Sequence, residues 1–139
     1  MSRPDWAIRL ALLCLCAAYL QGGLDKLLDF PGAVAETADF GVPLPIPATL
    51  ATIVTELVGS ALLLMPHFQR LGALWLAGFT AVATLLADRF WTLPPGPLRI
   101  AHANGFFEHV GLIGGFLLAA ATATPILLGR IPFQRDART

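Results

Sequence analysis

The chain has 139 residues, the size of a single domain, since one domain commonly has about 100 to 200 residues. Hydrophobic residues make up 56% of the chain and charged residues 13%, against about 45–50% and about 25% in soluble domains. This composition excludes an ordinary soluble protein and indicates an integral membrane protein. Nine basic and nine acidic side chains give a net charge of zero, which leaves no basic surface for a nucleic-acid backbone.

Four apolar stretches are each long enough to cross a bilayer, because about 20 helical residues span the hydrocarbon core of about 30 Å. Proline-rich or charged segments separate them and favour helix ends between the spans. The predicted spans are residues 6–28, 48–65, 71–91 and 106–129. The sequence therefore predicts an all-α protein in which residues 1–139 form one four-helix transmembrane domain. Pro125 lies inside the fourth span, where we expect a mild kink.

The structure of two of the segments between the spans can also be predicted. Residues 30–42 are too short and too charged to cross the membrane, but they have an apolar face, so we expect a short interfacial or partly re-entrant helix there. Residues 92–105, which include His102 and Asn104, are predicted to be the longest irregular segment. We expect this segment to cover the outer mouth of the bundle.

The distribution of basic residues predicts the orientation. With four spans both termini lie on one side, and that side holds six of the nine basic residues, which places both termini in the cytoplasm. The six are Arg3, Arg9, Arg70, Arg130, Arg135 and Arg138, and the other three are Lys26, Arg89 and Arg99. The predicted localisation is multi-pass in the plasma membrane, which in bacteria is the inner membrane.

Glu56 lies in the middle of the second span, about 12 Å along the helix from Ala48. An ionisable group at that depth costs about 2.5–3.5 kcal/mol on insertion scales. We therefore expect Glu56 to face the bundle interior and there to be either protonated or paired with a cation. Two interpretations stay open: a group that exchanges protons during function, and a hydrogen-bonded glutamate that only fixes helix packing.

Small and polar residues recur at helical spacing on three of the spans. Such residues let helix backbones approach closely, which predicts a tight bundle. They are Tyr19, Gly23 and Lys26 on the first span, Thr52, Glu56, Gly59 and Ser60, accompanied by Leu63, on the second, and Gly111 and Gly115 on the fourth.

A second group of polar residues lies at the outer ends of the spans. Helix ends on one side of a small bundle are within about 10 Å of one another, so we expect a charge network that covers a cavity above Glu56. Plain interfacial anchoring is the alternative. The members are Lys26, Asp88, Arg89, Glu108 and His109. His109 is also a candidate proton relay, because imidazole exchanges protons near neutral pH.

No motif for a metal or a tightly bound cofactor is present. Adjacent helical residues such as Glu108 and His109 diverge by about 100°, so these two with His102 are not expected to hold a metal ion. Cys14 and Cys16 do not form a CxxC motif, which leaves thiol redox chemistry without support.

Several short motifs in chain order resemble those of the DoxX family. Residues 23–30, GLDKLLDF, are similar to its first-helix GxxKLxxF signature, and residues 56–59, ELVG, are similar to its second-helix ELxG. Arg70, residues 88–91 (DRFW) and residues 104–118 are similar to the rest of the pattern. The resemblance covers nearly the whole chain.

This resemblance implies a small four-helix membrane protein, and some members are linked to membrane oxidoreductases. Members are associated with quinone-coupled thiosulfate oxidation and with complexes that join superoxide- and thiol-handling partners, and distant relatives act in membrane-protein assembly. By position, Lys26, Glu56, Asp88 and Asn104 are the matching sites. The chain departs from the pattern where Asp88 replaces a common histidine and where residues 108–109 replace a common Lys-Asn pair.

The sequence thus supports a membrane redox accessory subunit whose cavity binds a quinone and couples a membrane or periplasmic oxidoreductase to the quinone pool. The alternative is a noncatalytic assembly or anchoring subunit, and a small transporter is a weaker third. The lipid bilayer is a partner in each case, a homo-oligomer is a candidate state, and catalysis by the chain itself stays open. Candidate pocket residues are Tyr19, Lys26, Glu56, Asp88, Arg89, Asn104, Glu108 and His109.

Overall fold

The computed structural model describes residues 5–123, which form five α-helices joined by short connections. The four long helices are α1 (Asp5–Leu28), α3 (Pro45–Leu64), α4 (Gln69–Ala87) and α5 (Pro97–Thr122). A short helix, α2 (Phe30–Asp39), lies between α1 and α3, and a single 3-10 turn (Phe90–Thr92) follows α4. Each long helix is long and apolar enough to cross a membrane, which confirms the predicted four-helix transmembrane bundle.

The long helices pack in chain order. Helix α1 lies against α3, α3 against α4 and α4 against α5, while α1 and α5 meet over a shorter stretch. Short connections make successive helices antiparallel, so α1 and α4 end where α3 and α5 begin. We call this end of the bundle the Asp88 end. Its assignment to the non-cytoplasmic side stays a prediction, and Arg3 and residues 124–139, including Pro125, lie outside the described residues.

Glycines allow the closest helix contacts. Gly72 of α4 lies directly against the backbone of α3 at Leu63, and Gly59 of α3 lies against Leu76 of α4. Of the predicted Gly111 and Gly115 pair, Gly115 packs against Leu15 of α1, whereas a side chain at Gly111 would meet open space. The tight packing predicted from small residues is therefore present, and its closest point is Gly72.

The half of the bundle away from the Asp88 end has a well-packed core. Leu63, Leu76 and Phe116, from α3, α4 and α5, are completely buried there. The side-chain amide of Gln69 donates to the carbonyl oxygen of Ala119 at 3.1 Å and joins the start of α4 to α5.

Helix α5 begins nine residues earlier than the fourth span predicted from the sequence, at Pro97 instead of residue 106. The prediction of irregular structure for the whole of residues 92–105 is therefore wrong. Proline is well tolerated in the first turn of a helix, where its missing N–H has no partner to lose. The polar residues after it, which indicated a loop, instead form the face of α5 that carries His102 toward α4.

Helix α2 is present where a short helix was predicted. The Asp29 side chain accepts a hydrogen bond from the backbone N–H of Gly32 at 3.1 Å and caps its first turn. The buried Thr49 of α3 lies 2.8 Å from the Thr37 hydroxyl of α2, so α2 is held against the start of α3. Whether α2 lies at the membrane interface stays a prediction.

Candidate functional site

The centre of the site is an ion pair inside the bundle. Lys26 in the last turn of α1 reaches Glu56 in the middle of α3, with Nζ at 3.1 and 3.2 Å from the two carboxylate oxygens. Glu56 is only 7% exposed, and Lys26 Nζ also donates to the carbonyl oxygen of Gly22 at 3.3 Å. A buried carboxylate needs such a partner because an unpaired charge is very costly in a low-dielectric interior. Glu56 thus faces the interior.

A short hydrogen-bond chain lies on the opposite wall. The Thr80 hydroxyl donates to the carbonyl oxygen of Leu76 at 2.6 Å, and the Tyr19 hydroxyl lies 2.5 Å from Thr80 Oγ1. Because the single Thr80 hydrogen is used, Tyr19 donates to Thr80. Phe79 and Phe116 contact the Tyr19 ring edge to face, with ring centroids 6.4 and 5.3 Å away. Tyr19 is therefore fixed in place, with acceptor lone pairs left for a ligand.

A cavity of about 510 Å³ lies between these two walls. Its volume is within the range of about 300–1,000 Å³ that is typical of small-molecule sites. Most of its surface is apolar, and its polar groups come from all five helices: Tyr19, Lys26, Glu36, Thr37, Thr52, Glu56, Thr80 and His109. An apolar cavity with a few convergent polar groups is the usual form of a binding site for an amphipathic molecule.

A second polar cluster joins α4 to α5 at the Asp88 end. The Asp88 carboxylate follows the last turn of α4 and lies between two imidazoles of α5, 3.3 Å from His102 Nδ1 and 3.0 Å from His109 Nδ1. Gly105 lies on the same face of α5, and a side chain there would be 3.1 Å from Asp88. Gly105 thus makes room for the carboxylate between the histidines, one of which also lines the cavity.

Comparison with known proteins identifies the architecture that carries these groups. A family model described as DoxX matches residues 7–89, which is more than half of the chain. The chain belongs to the DoxX family. It is also similar to Inner membrane protein YphA of Escherichia coli strain K12, with 26% identity over 113 residues that cover 81% of this chain and 80% of that protein. No solved structure matches it.

The DoxX membership and the inner-membrane relative, together with four membrane-spanning helices, confirm the predicted localisation as a multi-pass protein of the inner membrane. The two segments that carried the DoxX resemblance, residues 23–30 and 56–59, meet in the structure. Lys26 pairs with Glu56, and Gly23 packs against Leu57 and the Glu56 side chain. The family match ends at residue 89, so it includes α1 from its third residue onward and all of α2, α3 and α4, and α5 follows it.

The structure brings some of the predicted pocket residues together and leaves others outside. Tyr19, Lys26, Glu56 and His109 line the cavity, and Asp88 reaches it through His109. Arg89, Asn104 and Glu108 are exposed and take no part in an ion pair among residues 5–123. The single network expected at the outer end is therefore two separate clusters, Lys26 with Glu56 and Asp88 with two histidines.

Three parts of the site were not predicted from the sequence. Thr80, the partner of Tyr19, lies in an apolar span where threonine commonly bonds only to its own helix. His102 was treated as part of a loop, although its spacing of seven residues from His109 places both on one helix face. Glu36 and Thr37 of α2 line the cavity, and only the folding of α2 back onto α3 brings them there.

The Asp88 cluster is expected to contribute modestly to stability. Asp88→Asn removes the charge that attracts both imidazoles, and because the histidines are about one-third exposed we expect a loss of only about 1 kcal/mol. Thermal unfolding in detergent measures it. Glu108→Gln is the matched control and should change stability by less than about 0.5 kcal/mol. Equal effects of the two substitutions would show that Asp88 holds no stabilising contact.

Proposed function

We propose that this protein is a membrane redox accessory subunit whose cavity binds the head group of a quinone and couples a partner oxidoreductase to the quinone pool. The observation that supports the proposal most strongly is the cavity itself, which has a polar end at Lys26 and Glu56, a mostly apolar surface, and a lining drawn from helices long enough to span a membrane. A quinone has matching chemistry, with carbonyl oxygens on a ring that is otherwise apolar.

The residues at the polar end fit such a head group. Quinone oxygens accept hydrogen bonds, and the Lys26 ammonium, the Thr52 hydroxyl and the His109 ring are donors on the cavity wall. Tyr19 donates to Thr80, so toward the cavity it offers acceptor lone pairs, which suit the hydroxyl groups of the reduced form. When bound, a quinone supplies two-electron, two-proton redox chemistry.

Glu56 is a group on the cavity wall that can hold a proton. Its carboxylate is within 3.2 Å of Lys26, so a proton on Glu56 weakens the ion pair, and a proton lost from Glu56 restores it. The pair therefore links proton occupancy in the cavity to the position of the Lys26 side chain. Electron transfer belongs to the partner enzyme under this proposal, which is why the chain is described as an accessory subunit.

Calorimetric titration of the protein in nanodiscs with ubiquinone-2 tests the proposal. We expect saturable one-to-one binding, and Glu56→Gln should weaken it by about tenfold, which is about 1.4 kcal/mol, because the carboxylate that holds the Lys26 ammonium in position is lost. Lys26→Met/Glu56→Met, which removes the polar end without leaving an unpaired charge, should weaken it further. The matched control is Glu108→Gln, an exposed carboxylate outside the cavity, which should bind like the unsubstituted protein.

Absence of binding to the unsubstituted protein would refute the proposal. Retention of a stoichiometric partner in mild detergent, combined with quinone binding that Glu56→Gln does not change, would instead favour the assembly or anchoring function.

A further inference from the structure

The cavity continues to the side of the bundle between α3 and α4. Ala51 of α3 and Val82 and Leu86 of α4 line the cavity and are also exposed on the outer surface of the bundle. Val82 is 60% exposed, although it borders a cavity whose opposite wall is the buried Glu56. A residue with both properties lies at the rim of an opening.

The helix register explains why the gap occurs in this half of the bundle. Gly72 and Leu63, and Gly59 and Leu76, are in close contact in the other half, where Gly72 lies against the backbone of α3 and the Leu76 side chain fills the space left by Gly59. Continuing this antiparallel register toward the Asp88 end places Thr52 beside Ala83 and Ala48 beside Ala87. These pairs have small side chains on both helices and leave the space between them unfilled, and all four residues line the cavity.

The opening lies within the predicted spans of both helices, which indicates that it faces the hydrocarbon layer. Ala51 lies inside the span Pro45–Leu64, and Val82 and Leu86 lie inside the span Gln69–Thr92. The neighbouring exposed side chains on these helices are Leu50, Val54 and Leu85, which are apolar. A different part of the cavity wall is formed by Glu36, Thr37 and Phe40, at and just after α2.

We propose that the gap between α3 and α4 is a lateral portal through which a ligand with a long apolar chain enters from the bilayer. In the bound state the head group lies at Lys26 and Glu56, and the chain leaves through the gap between Ala51 and Val82. The identity of the head group rests on the proposed function. The portal itself makes the site selective for membrane-dissolved molecules with a long chain over small polar ones. The occupant of the portal is the isoprenoid chain.

Rates of association with two quinones in proteoliposomes test the portal. The probes share the dimethoxy-methyl-benzoquinone head group, and one carries a ten-unit isoprenoid chain while the other has none. Ala51→Phe at the rim should slow association of the chain-bearing probe at least about tenfold, because an aromatic ring fills the gap. It should leave the chainless probe within about twofold, since that probe can reach the cavity past α2. Ala83→Phe should act in the same way.

The matched control is Gly78→Phe, on the lipid-facing side of α4, where a side chain meets open space. It adds the same ring to the same helix and should change neither rate. Equal slowing of both probes by Ala51→Phe, or slowing of neither, would overturn the portal.

A second measurement needs no ligand and separates failure of the portal from failure of quinone binding. A nitroxide label on Thr52→Cys, in a Cys14→Ala/Cys16→Ala background, reports from the cavity wall. With the portal open to lipid, its electron paramagnetic resonance signal should relax with oxygen, which concentrates in the bilayer, more than with a water-soluble nickel chelate. Ala51→Phe should lower the oxygen effect. Greater access for the nickel chelate would show that the cavity opens to water and that the portal does not exist, whether or not quinone binds.

Discussion

Lys26→Met is expected to lower the free energy of unfolding by about 3–5 kcal/mol, because it leaves the Glu56 carboxylate without its partner in the bundle interior. Glu56 accepts hydrogen bonds from Lys26 on both oxygens and from nothing else among residues 5–123. Reversible unfolding in mixed micelles with increasing denaturing detergent measures the loss. A protein destabilised this far is expected to express poorly in the membrane.

The control for this substitution is Lys26→Met/Glu56→Met, which removes both charges and keeps side chains of similar length. Replacing both members of a buried ion pair with apolar residues is often neutral or stabilising, so the double variant should recover most of the stability lost by Lys26→Met. If the single and the double variant were equally unstable, the ion pair would not be the reason for the loss, and the Lys26 side chain would matter only by packing.

Gly72→Ala is expected to destabilise the bundle by about 1–3 kcal/mol or more, because an added methyl group would meet backbone atoms of α3 that cannot move without shifting the helix. Gly78→Ala, six residues further along the same helix, places its methyl group in open space. Alanine is favoured over glycine in a helix by up to about 1 kcal/mol, so this control should be neutral or stabilising. A loss of unfolding free energy for Gly72→Ala and no loss or a gain for Gly78→Ala, measured by the same unfolding assay, would establish the α3–α4 contact. Equal effects would contradict it.

The hydropathy of the four apolar stretches and the proline-rich or charged segments between them were sufficient to predict the bundle. Four apolar stretches of spanning length admit few other folds, and the intramembrane carboxylate at Glu56 had to face inward to avoid lipid. The small-residue stripes on the first and second spans also predicted contact surfaces, since Gly23 and Gly59 both lie at helix contacts. These features depend on the solvent that surrounds the chain, so they can be derived without knowing which helices are neighbours.

Features that depend on neighbours could not be predicted. The outer polar residues were expected to form one network, but which of them meet is decided by helix register and rotation. That register pairs Asp88 with His102 and His109 and leaves Arg89 exposed. Gly72 gave no signal, because it does not lie in a GxxxG pattern, and the start of α5 was missed because polar residues there face another helix instead of water.

The central claim is that a quinone head group lies against Lys26 and Glu56, and the sequence makes a direct measurement possible. Lys26 is the single lysine in the chain, so uniform labelling of lysine with ¹⁵N marks only this site. Solid-state NMR on bilayer samples with a quinone labelled with ¹³C at its carbonyl carbons then reports the distance between the head group and Nζ. We expect a strong carbon–nitrogen dipolar coupling that disappears when excess unlabelled quinone is added. Saturable binding with no coupling to Lys26 would place the ligand elsewhere and contradict the account.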